Sequence, residues 1–463
     1  AEERLQLTLA VGAAAERLYV SFPRVELNES RPRVPSFYVL DILRAIEGRI
    51  PPAQSIGERA MRAGGSRLAW PAPLDPATAI DDFEHDLSMM GALLDKNLES
   101  VKGRARYLYE LSPELKRSLS SRWLRWHRRQ WEPADGMVRT TDMTRAALAA
   151  QRLGARPYSL TALQRYATCP YQFLMAAIYR LSPLEAPAPL QKMDPLTRGD
   201  LFHQIQAAAL RRWQSDGLLP LSAANLPAAQ QRLTTAIREV HDREYDRLSP
   251  AIDRVWQDEI TAMTQDLREW LEKLAEEGVE WTPERFEFAF GLSDMEGRDE
   301  HSTPDPAVID GRFRLRGSID MIERHRKTGF LRVTDHKTGK NRTKAGQTVV
   351  DGGRVLQPVI YGLALKALYP QESVYSGRLF YCTSAGGFQD YEIPLMGEAP
   401  KRGIEVLEIV DRAIENGLLA ARPGTDACKW CDFQVVCGRD EERRTRRKDP
   451  KTFADLDALR KMP

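Results

Sequence analysis

The sequence predicts an α/β domain, a central sheet flanked by helices, in the C-terminal two-thirds of the chain. The first observation is a set of segments whose apolar residues recur at helical spacing, at 159–181, 194–213, 224–278, 355–369 and 401–418. The second is a set of segments that alternate with the period of two typical of strands, at 285–291, 311–324, 330–337, 376–383 and 390–395. Because both kinds of segment occupy one continuous stretch, we expect helices packed on one sheet.

The boundaries of these elements have local signals. Ser159 is placed to cap the first helix, and the Pro-rich stretch 182–190 separates that helix from the next one, which carries His203. The residues HRKTGF at 325–330 form a turn between two alternating segments, so we expect those two strands to pair as an antiparallel hairpin.

The composition is that of a folded chain and excludes several classes of protein. The 463 residues are 42% hydrophobic and 29% charged, which predicts two or three domains. No apolar run approaches the roughly 20 residues that span a bilayer, and there is no signal-peptide pattern. Five cysteines without such a signal do not predict a disulfide framework. We therefore expect a protein of a reducing cytoplasm that makes no membrane contact.

The N-terminal third predicts a different kind of structure. Its first residues, AEERLQLTLAV, are typical of the middle of a domain, so we expect a fragment of a longer protein. The run LYVSF at 18–22 predicts a short strand, and 37–48 a helix. Helices are also predicted over 81–100, 115–131 and 143–154.

The net charge of only +2 does not by itself indicate a nucleic-acid-binding protein. Basic residues are nevertheless concentrated in two places, 115–131 and 439–448, and the first of these also contains three Trp. Basic residues interleaved with aromatic ones are typical of contact with phosphates and bases. An amphipathic helix with Trp buried and Arg in solvent explains the Trp segment equally well.

The predicted hairpin carries the residues that point to chemistry. Asp335 and Lys337 lie two residues apart on one strand and share a face, and antiparallel pairing can place Asp320 beside them. Two carboxylates that converge on one point suit Mg²⁺ or Mn²⁺. The lysine can assist an attacking water or neutralise charge on a phosphate. Taken alone, such a motif is more often a solvated surface ion pair.

Two other helices contribute candidate residues. His203, in RGDLFHQ, is a possible third metal ligand, although a single histidine on a helix is more often structural. Gln357 and Tyr361, in LQPVIY, are four residues apart and point off one helix face. They can donate hydrogen bonds to DNA or position the lysine, or they can be ordinary surface residues.

Residues from about 158 to 438 resemble the PD-(D/E)XK nucleases of the RecB type. More narrowly, they resemble the iron–sulfur branch found in AddAB-type helicase–nucleases, in the CRISPR-adaptation exonuclease and in a eukaryotic replication helicase–nuclease. The matching stretches are SLTALQRYATCPYQF, RGDLFHQ, GSIDMI, VTDHKTGK, LQPVIYG and CKWCDFQVVCG.

This resemblance implies a restriction-endonuclease-like core and specific roles for residues in it. His203, Asp320 and Asp335 would bind the metal, and Lys337 would be the catalytic lysine. Gln357 and Tyr361 would form the accompanying helix motif. Glu287, in RFEFAFG, matches a family strand position for which no catalytic role is expected.

Four cysteines form a second pattern. Cys428, Cys431 and Cys437 are spaced C-x2-C-x5-C, and no Cys or His follows them to complete a local zinc site. Cys169, far upstream and followed by Pro, together with this triplet resembles the 4Fe–4S site of the nucleases just named, and all-thiolate ligation suits such a cluster. It would tie the first and last helices of the domain together. Zn²⁺ on the same thiols is the alternative. Cys382 is expected to be only a buried thiol.

The N-terminal residues resemble the end of a superfamily 1 helicase core. The stretch AVGAAAERL lacks the expected Arg, and the sequence contains no G-x-x-x-x-G-K-[ST] loop, so no ATPase is expected in this fragment. The expected domains are a degenerate helicase remnant at 1–50, a helical connection at 51–155, the nuclease domain at 156–440 and a charged tail at 441–463. Beyond Arg447 we expect this tail to be disordered.

Together these features predict a metal-dependent DNA exonuclease domain of a bacterial helicase–nuclease for recombination and double-strand-break repair. Single-stranded DNA is the expected substrate, because a helicase subunit or an upstream helicase domain would deliver separated strands. Two alternatives remain open: an inactive DNA-binding scaffold subunit, and a stand-alone CRISPR-adaptation-type exonuclease.

Overall fold

A computed structural model describes most of the chain. The described residues are 2–22, 25–26, 31–32, 35–52, 55–56, 58–59, 66–67, 70–94, 113–184, 190–294, 296–343, 346, 348–438 and 440–463. The chain separates into two compact units, residues 1–124 and 125–463. The bounds of the four domains expected from the sequence stay predictions.

The first unit combines helices with very short strands. The helices are α1 (Glu2–Gly12), α2 (Phe37–Glu47), α3 (Asp82–Leu94) and the larger part of α4 (Pro113–His127). The strands pair antiparallel as β1 (Val25–Glu26) with β2 (Arg31–Pro32) and β3 (Ser66–Arg67) with β4 (Trp70–Pro73). The predicted helices at 37–48 and 81–100 are confirmed over α2 and α3, and the remainder of the second lies outside the described residues.

The predicted strand at 18–22 is wrong. These residues lie outside any helix or strand that the structure describes. Leu18, Tyr19 and Val20 are exposed, Tyr19 to 84%. An apolar run of this length becomes a strand only where a partner strand covers it, and no described strand does so.

The second unit is a mixed sheet between layers of helices. Before the sheet come α5 (Asp142–Ala149), α6 (Leu160–Thr168), α7 (Pro170–Phe173), α8 (Pro195–Ser215), α9 (Leu226–Leu248) and α10 (Asp253–Glu277). Ser159 caps α6 by accepting the Ala162 N–H, as predicted. Later helices are α11 (Gln357–Leu368), α12 (Glu398–Glu415), α13 (Gln434–Cys437), α14 (Glu441–Thr445) and α15 (Ala454–Leu459).

The sheet contains both parallel and antiparallel pairs. Its strands, in spatial order, are β11 (Asp390–Pro394), β10 (Val374–Tyr381), β9 (Leu331–Lys337), β8 (Gly317–His325) and β5 (Trp281–Phe290). Only the central pair β9–β10 is parallel, and α11 makes the crossover between those two strands. The predicted β8–β9 hairpin is confirmed. The alternating segment at 311–324 is not one strand, because β7 (Phe313–Leu315) pairs instead with β6 (Ala307–Ile309) in a separate hairpin.

Apolar side chains cover both faces of the sheet. Met321 and Ile322 are adjacent on β8, so they point to opposite faces. Ile322 belongs to a core shared with α6, α11 and α12. Met321 belongs to a core shared with α8, α9 and α10, in which Trp213 and Trp270 stack at a centroid distance of 5.7 Å. The predicted α/β class is confirmed. Among the described residues, no helix has both the length and the apolar character needed to cross a membrane.

The expectation of a disordered C-terminal tail is wrong. The residues after 440 form α14 and α15, and Phe453, Leu456 and Leu459 are buried in the larger core. Arg444 and Lys448 both bind the buried carboxylate of Asp135. A composition rich in charge predicted disorder, but these charges are paired and the apolar residues between them have a core to enter.

Candidate active site

Three carboxylates from three neighbouring strands lie in one row across the sheet. On β5 and β8, the pairs on either side of Glu287 place it opposite Asp320. On β8 and β9, the pairing of Met321 with Thr334 places Asp320 opposite Asp335. Like charges that face each other across a sheet repel, so this row requires cationic groups beside it.

Helix α8 supplies an imidazole to the row. Asp194 caps the helix by accepting two backbone N–H groups of its first turn, at 2.8 and 3.1 Å, and this fixes the start of the helix two turns before His203. His203 Nδ1 lies 3.4 Å from Asp320 Oδ2. One ligand atom each from His203, Glu287 and Asp320 lie within 4.8 Å of one another, the only such group in the described part of the chain.

The protonation states show how the row is balanced without an ion. Burial alone lowers the pKa of an imidazole, yet Asp320, Glu287 and Asp335 raise the pKa of His203 to about 9. Burial alone raises the pKa of a carboxyl, yet His203 and His336 hold the pKa of Asp320 at about 2. Burial raises the pKa values of Glu287 and Asp335, and Asp320 adds to both. The imidazolium therefore provides positive charge that a divalent cation would supply.

Lys337 lies beside the row at the end of β9. Its Nζ is 2.7 Å from Asp335 Oδ2. Burial alone lowers the pKa of a lysine, but Asp335 raises the pKa of Lys337 above its ordinary value, so the side chain is a cation at neutral pH. It is 37% exposed, and its ammonium can therefore reach a substrate phosphate.

The two residues predicted on α11 are placed differently. Burial, and then the carboxylates of Asp335 and Asp320, raise the pKa of Tyr361 well above its ordinary value, so this phenol lies beside the row as a neutral group. Gln357 is the first residue of the helix. Its Oε1 accepts hydrogen bonds from Gln164 Nε2 at 3.1 Å and from the backbone N–H of Leu356 at 3.2 Å. Its described hydrogen bonds are therefore to the scaffold and not to the acids.

A buried ion network stabilises the strands that carry the acids. Glu323, Arg332 and Arg378 are 1%, 3% and 0% exposed. The two guanidinium groups bind the Glu323 carboxylate at 2.9 to 3.3 Å. Burial opposes ionisation, but both arginines hold the pKa of Glu323 at about 2. Three strands are thus joined through side chains as well as through the backbone.

The four cysteines of the second pattern meet in one place. Cys169 ends α6 and precedes α7, and it lines a single cavity together with Cys428, Cys431 and Cys437. Burial raises the pKa of Cys169 to about 11 and of Cys428 to about 12, and the neighbouring thiols add to both shifts. The thiolates that metal binding needs are thus disfavoured until a cation is present. Cys382 lies elsewhere and is buried, as predicted.

Arg125 anchors the cysteine triplet from outside. One of its nitrogens donates to the carbonyl of Cys437 at 2.9 Å and to the carboxylate of Glu441 at 2.8 Å. The carboxylate of Glu442 accepts the backbone N–H of Cys428 at 3.1 Å. The backbone at both ends of the triplet, at Cys428 and at Cys437, is therefore held in place by contacts that do not involve the thiols.

The structure brings together the predicted residues His203, Asp320, Asp335, Lys337 and Tyr361, and it adds Glu287, for which the sequence predicted no catalytic role. Glu287 forms the three-residue ligand group with His203 and Asp320, whereas Asp335 lies beside that group and faces Asp320 across the sheet. The signal that could have found it is the pairing register of β5 with β8, which an isolated strand sequence does not contain. The roles of all these residues stay predictions.

The fold and the site together define a class of protein: an α/β core of the restriction-endonuclease type with acids, an imidazole and a lysine gathered on its central strands. The sequence profile of the PD-(D/E)XK nuclease superfamily matches residues 157–438. The match covers more than half of the chain, and the chain belongs to the PD-(D/E)XK nuclease superfamily. No curated protein sequence matches the chain. Membership implies a nuclease that acts on DNA, and nucleases of this superfamily typically use divalent metal ions.

Proposed function

We propose that this domain hydrolyses phosphodiester bonds of DNA with Mg²⁺ or Mn²⁺ held by His203, Asp320 and Asp335, and that Glu287 is a fourth member of the ligand set. The observation that carries the proposal is the row of three carboxylates that meets one imidazole. Three carboxylate oxygens and a nitrogen suit these ions, which prefer hard ligands. A row of like charges without another evident structural use also fits a cation site.

The residues of the chain divide the work of the reaction. The ion supplies a Lewis acid beside the scissile phosphate. Asp320 is already ionised, because its pKa is about 2, whereas His203 must lose its proton to become a ligand. Lys337 stabilises the charge that grows on the phosphate or orients the water that attacks it in line. Tyr361 remains protonated and can donate a hydrogen bond to a phosphate oxygen.

The substrate and context are proposed more narrowly from the resemblance described above. We infer that the domain is an exonuclease on single-stranded DNA within a bacterial helicase–nuclease of recombination and break repair, working in the cytoplasm beside a helicase subunit or domain. A motor that separates strands delivers them to such a site.

We further propose a 4Fe–4S cluster on Cys169, Cys428, Cys431 and Cys437. All four cysteines line one cavity, and all-thiolate ligation suits such a cluster. Zn²⁺ on the same thiols is the rival that metal analysis must exclude.

Cleavage of end-labelled single-stranded DNA by the full chain tests the nuclease proposal. Wild type with Mg²⁺ or Mn²⁺ should degrade linear strands and leave circular single strands intact. Lys337→Ala should slow cleavage by about 10²–10³-fold, the usual cost of losing one group that stabilises the transition state. Lys401→Ala is the matched control, because Lys401 is exposed and pairs only with a surface glutamate.

Two outcomes would contradict parts of this proposal. Equal behaviour of wild type and Lys337→Ala would leave a DNA-binding scaffold as the function. Cleavage of circular strands would retain the nuclease and overturn the exonuclease assignment.

A further inference from the structure

Two donors outside the row fix the carboxylate of Glu287. Arg298 Nη1 lies 2.7 Å from Glu287 Oε2, and Ser318 Oγ donates to the same oxygen at 3.0 Å. Arg298 Nη1 is also 3.3 Å from Ser318 Oγ, which closes a triangle. We call Arg298 and Ser318 the Glu287 clamp. Both members of the clamp bind Oε2, and neither binds Oε1.

The backbone around Glu287 is also constrained. Its φ is +55°, a left-handed conformation that is costly for any residue other than glycine. Such a conformation persists only when the surrounding structure enforces it. The loop that carries the arginine is tied to β5 on both sides of this residue. Asp299 accepts the N–H of Phe286 at 3.0 Å, and Ser302 accepts the N–H of Ala289 at 2.9 Å. The carboxylate therefore has little freedom to rotate.

We propose that the Glu287 clamp makes Glu287 a one-oxygen ligand and thereby sets the preference of the site for Mg²⁺ or Mn²⁺ over Ca²⁺. This inference rests on the proposed metal site. Ca²⁺ takes six to eight oxygen ligands at about 2.3–2.6 Å and accepts both oxygens of a carboxylate, whereas Mg²⁺ needs near-octahedral geometry at about 2.0–2.1 Å. An oxygen occupied by two donors is a poor second ligand, so the clamp penalises Ca²⁺ more than Mg²⁺.

The clamp has a second effect that the test must separate. Arg298 places a positive charge beside the site, so its loss strengthens the attraction of any divalent cation. That effect is equal for Ca²⁺ and Mg²⁺, because their charges are equal. The ratio of the two affinities therefore reports the geometry of the ligand and not the local charge. Ser318 is uncharged, so its removal leaves the net charge beside the site unchanged.

The experiment measures the Mg²⁺ and Ca²⁺ affinities of the full chain without DNA. Each ion displaces bound Mn²⁺, and electron paramagnetic resonance monitors the Mn²⁺ that is released. Loss of a partner that orients a ligand changes metal affinity by roughly 10–100-fold. In Arg298→Ala the Ca²⁺-to-Mg²⁺ affinity ratio should rise on the order of tenfold. In Ser318→Ala, which leaves Arg298 on the same oxygen, the ratio should rise by a smaller factor. Arg298→Lys should restore part of the preference, because an ammonium can donate to the same oxygen.

Arg312→Ala is the matched control, since Arg312 is an exposed arginine paired with Asp310 and Glu408 away from the row. An unchanged ratio in Ser318→Ala, which removes only a hydroxyl, would overturn the inference even if Arg298→Ala failed to fold. Absence of Mn²⁺ binding by wild type would instead overturn the proposed metal site itself. The two failures are therefore distinguishable.

Discussion

The protonated state of His203 predicts a steep dependence of metal affinity on pH. Its pKa is about 9 in the ion-free protein, because three carboxylates surround it. An imidazole must be neutral to ligate a metal, so binding below this pKa releases a proton. Affinity for Mn²⁺ should therefore rise with pH and level off as pH approaches 9.

The size of this pH dependence follows from the release of one proton for each ion that binds. Each pH unit below the pKa changes the affinity about tenfold, or about 1.4 kcal/mol. From about pH 7 to about pH 8.5 the affinity should rise roughly 25-fold, because the curve already begins to level near the pKa. Asp320 contributes nothing in this range, because its pKa of about 2 leaves it ionised throughout. Glu287 and Asp335 have raised pKa values and can only steepen the acid end of the curve.

Isothermal titration calorimetry of Mn²⁺ into the full chain, under argon, measures this slope. Titrations in two buffers with different protonation enthalpies count the released protons directly. His203→Ala should bind more weakly and with a nearly flat pH dependence, whereas His85→Ala, which alters an exposed histidine of the first unit, should match wild type. A wild-type affinity that does not change over this range would refute the assignment of His203 as a ligand.

Three further outcomes follow from the described contacts. Glu323→Ala removes the fully buried carboxylate that Arg332 and Arg378 share and leaves both paired with the more exposed Glu277, so it should destabilise the fold by about 3 kcal/mol in urea unfolding. Glu398→Gln at an exposed pair should have little effect; equal stabilities would contradict the network. Cys428→Ser should lower the metal content of protein purified without oxygen and its absorbance at about 400 nm. An unchanged iron content would exclude Cys428 as a ligand. Tyr361→Phe should slow cleavage more than Gln357→Ala, because the phenol lies beside the acids and the amide is bonded to the scaffold; the reverse order in a cleavage assay would show that the helix motif acts differently.

The sequence allowed much of the hairpin chemistry to be predicted, because local signals determine it. Alternation identifies the two strands, and the turn at 325–330 joins them. The pairing that follows places Asp320 opposite Asp335, and Lys337 shares a face with Asp335. His203 required more than spacing, since its approach depends on how α8 packs on the sheet. It was identified through a resemblance.

Glu287 shows what local patterns do not contain. Its place in the row depends on pairing between β5 and β8, which is long-range in sequence, and on a register shift between Pro283 and Arg285. A shift by one residue moves every side chain to the other face. The predictions of a strand at 18–22 and of a disordered C-terminal tail were wrong for a related reason. Whether an apolar or a charged segment is buried depends on partners elsewhere in the chain.

The anomalous scattering of Mn²⁺ soaked into a crystal locates the ion and shows whether these side chains form one metal site. A peak should lie at bonding distance, about 2.0–2.3 Å, from a nitrogen of His203 and from carboxylate oxygens of Asp320 and Asp335. Glu287 should approach it through Oε1. Ordered density for these side chains with no peak between them, or with Mn²⁺ bound only at another surface, would contradict the proposed metal site.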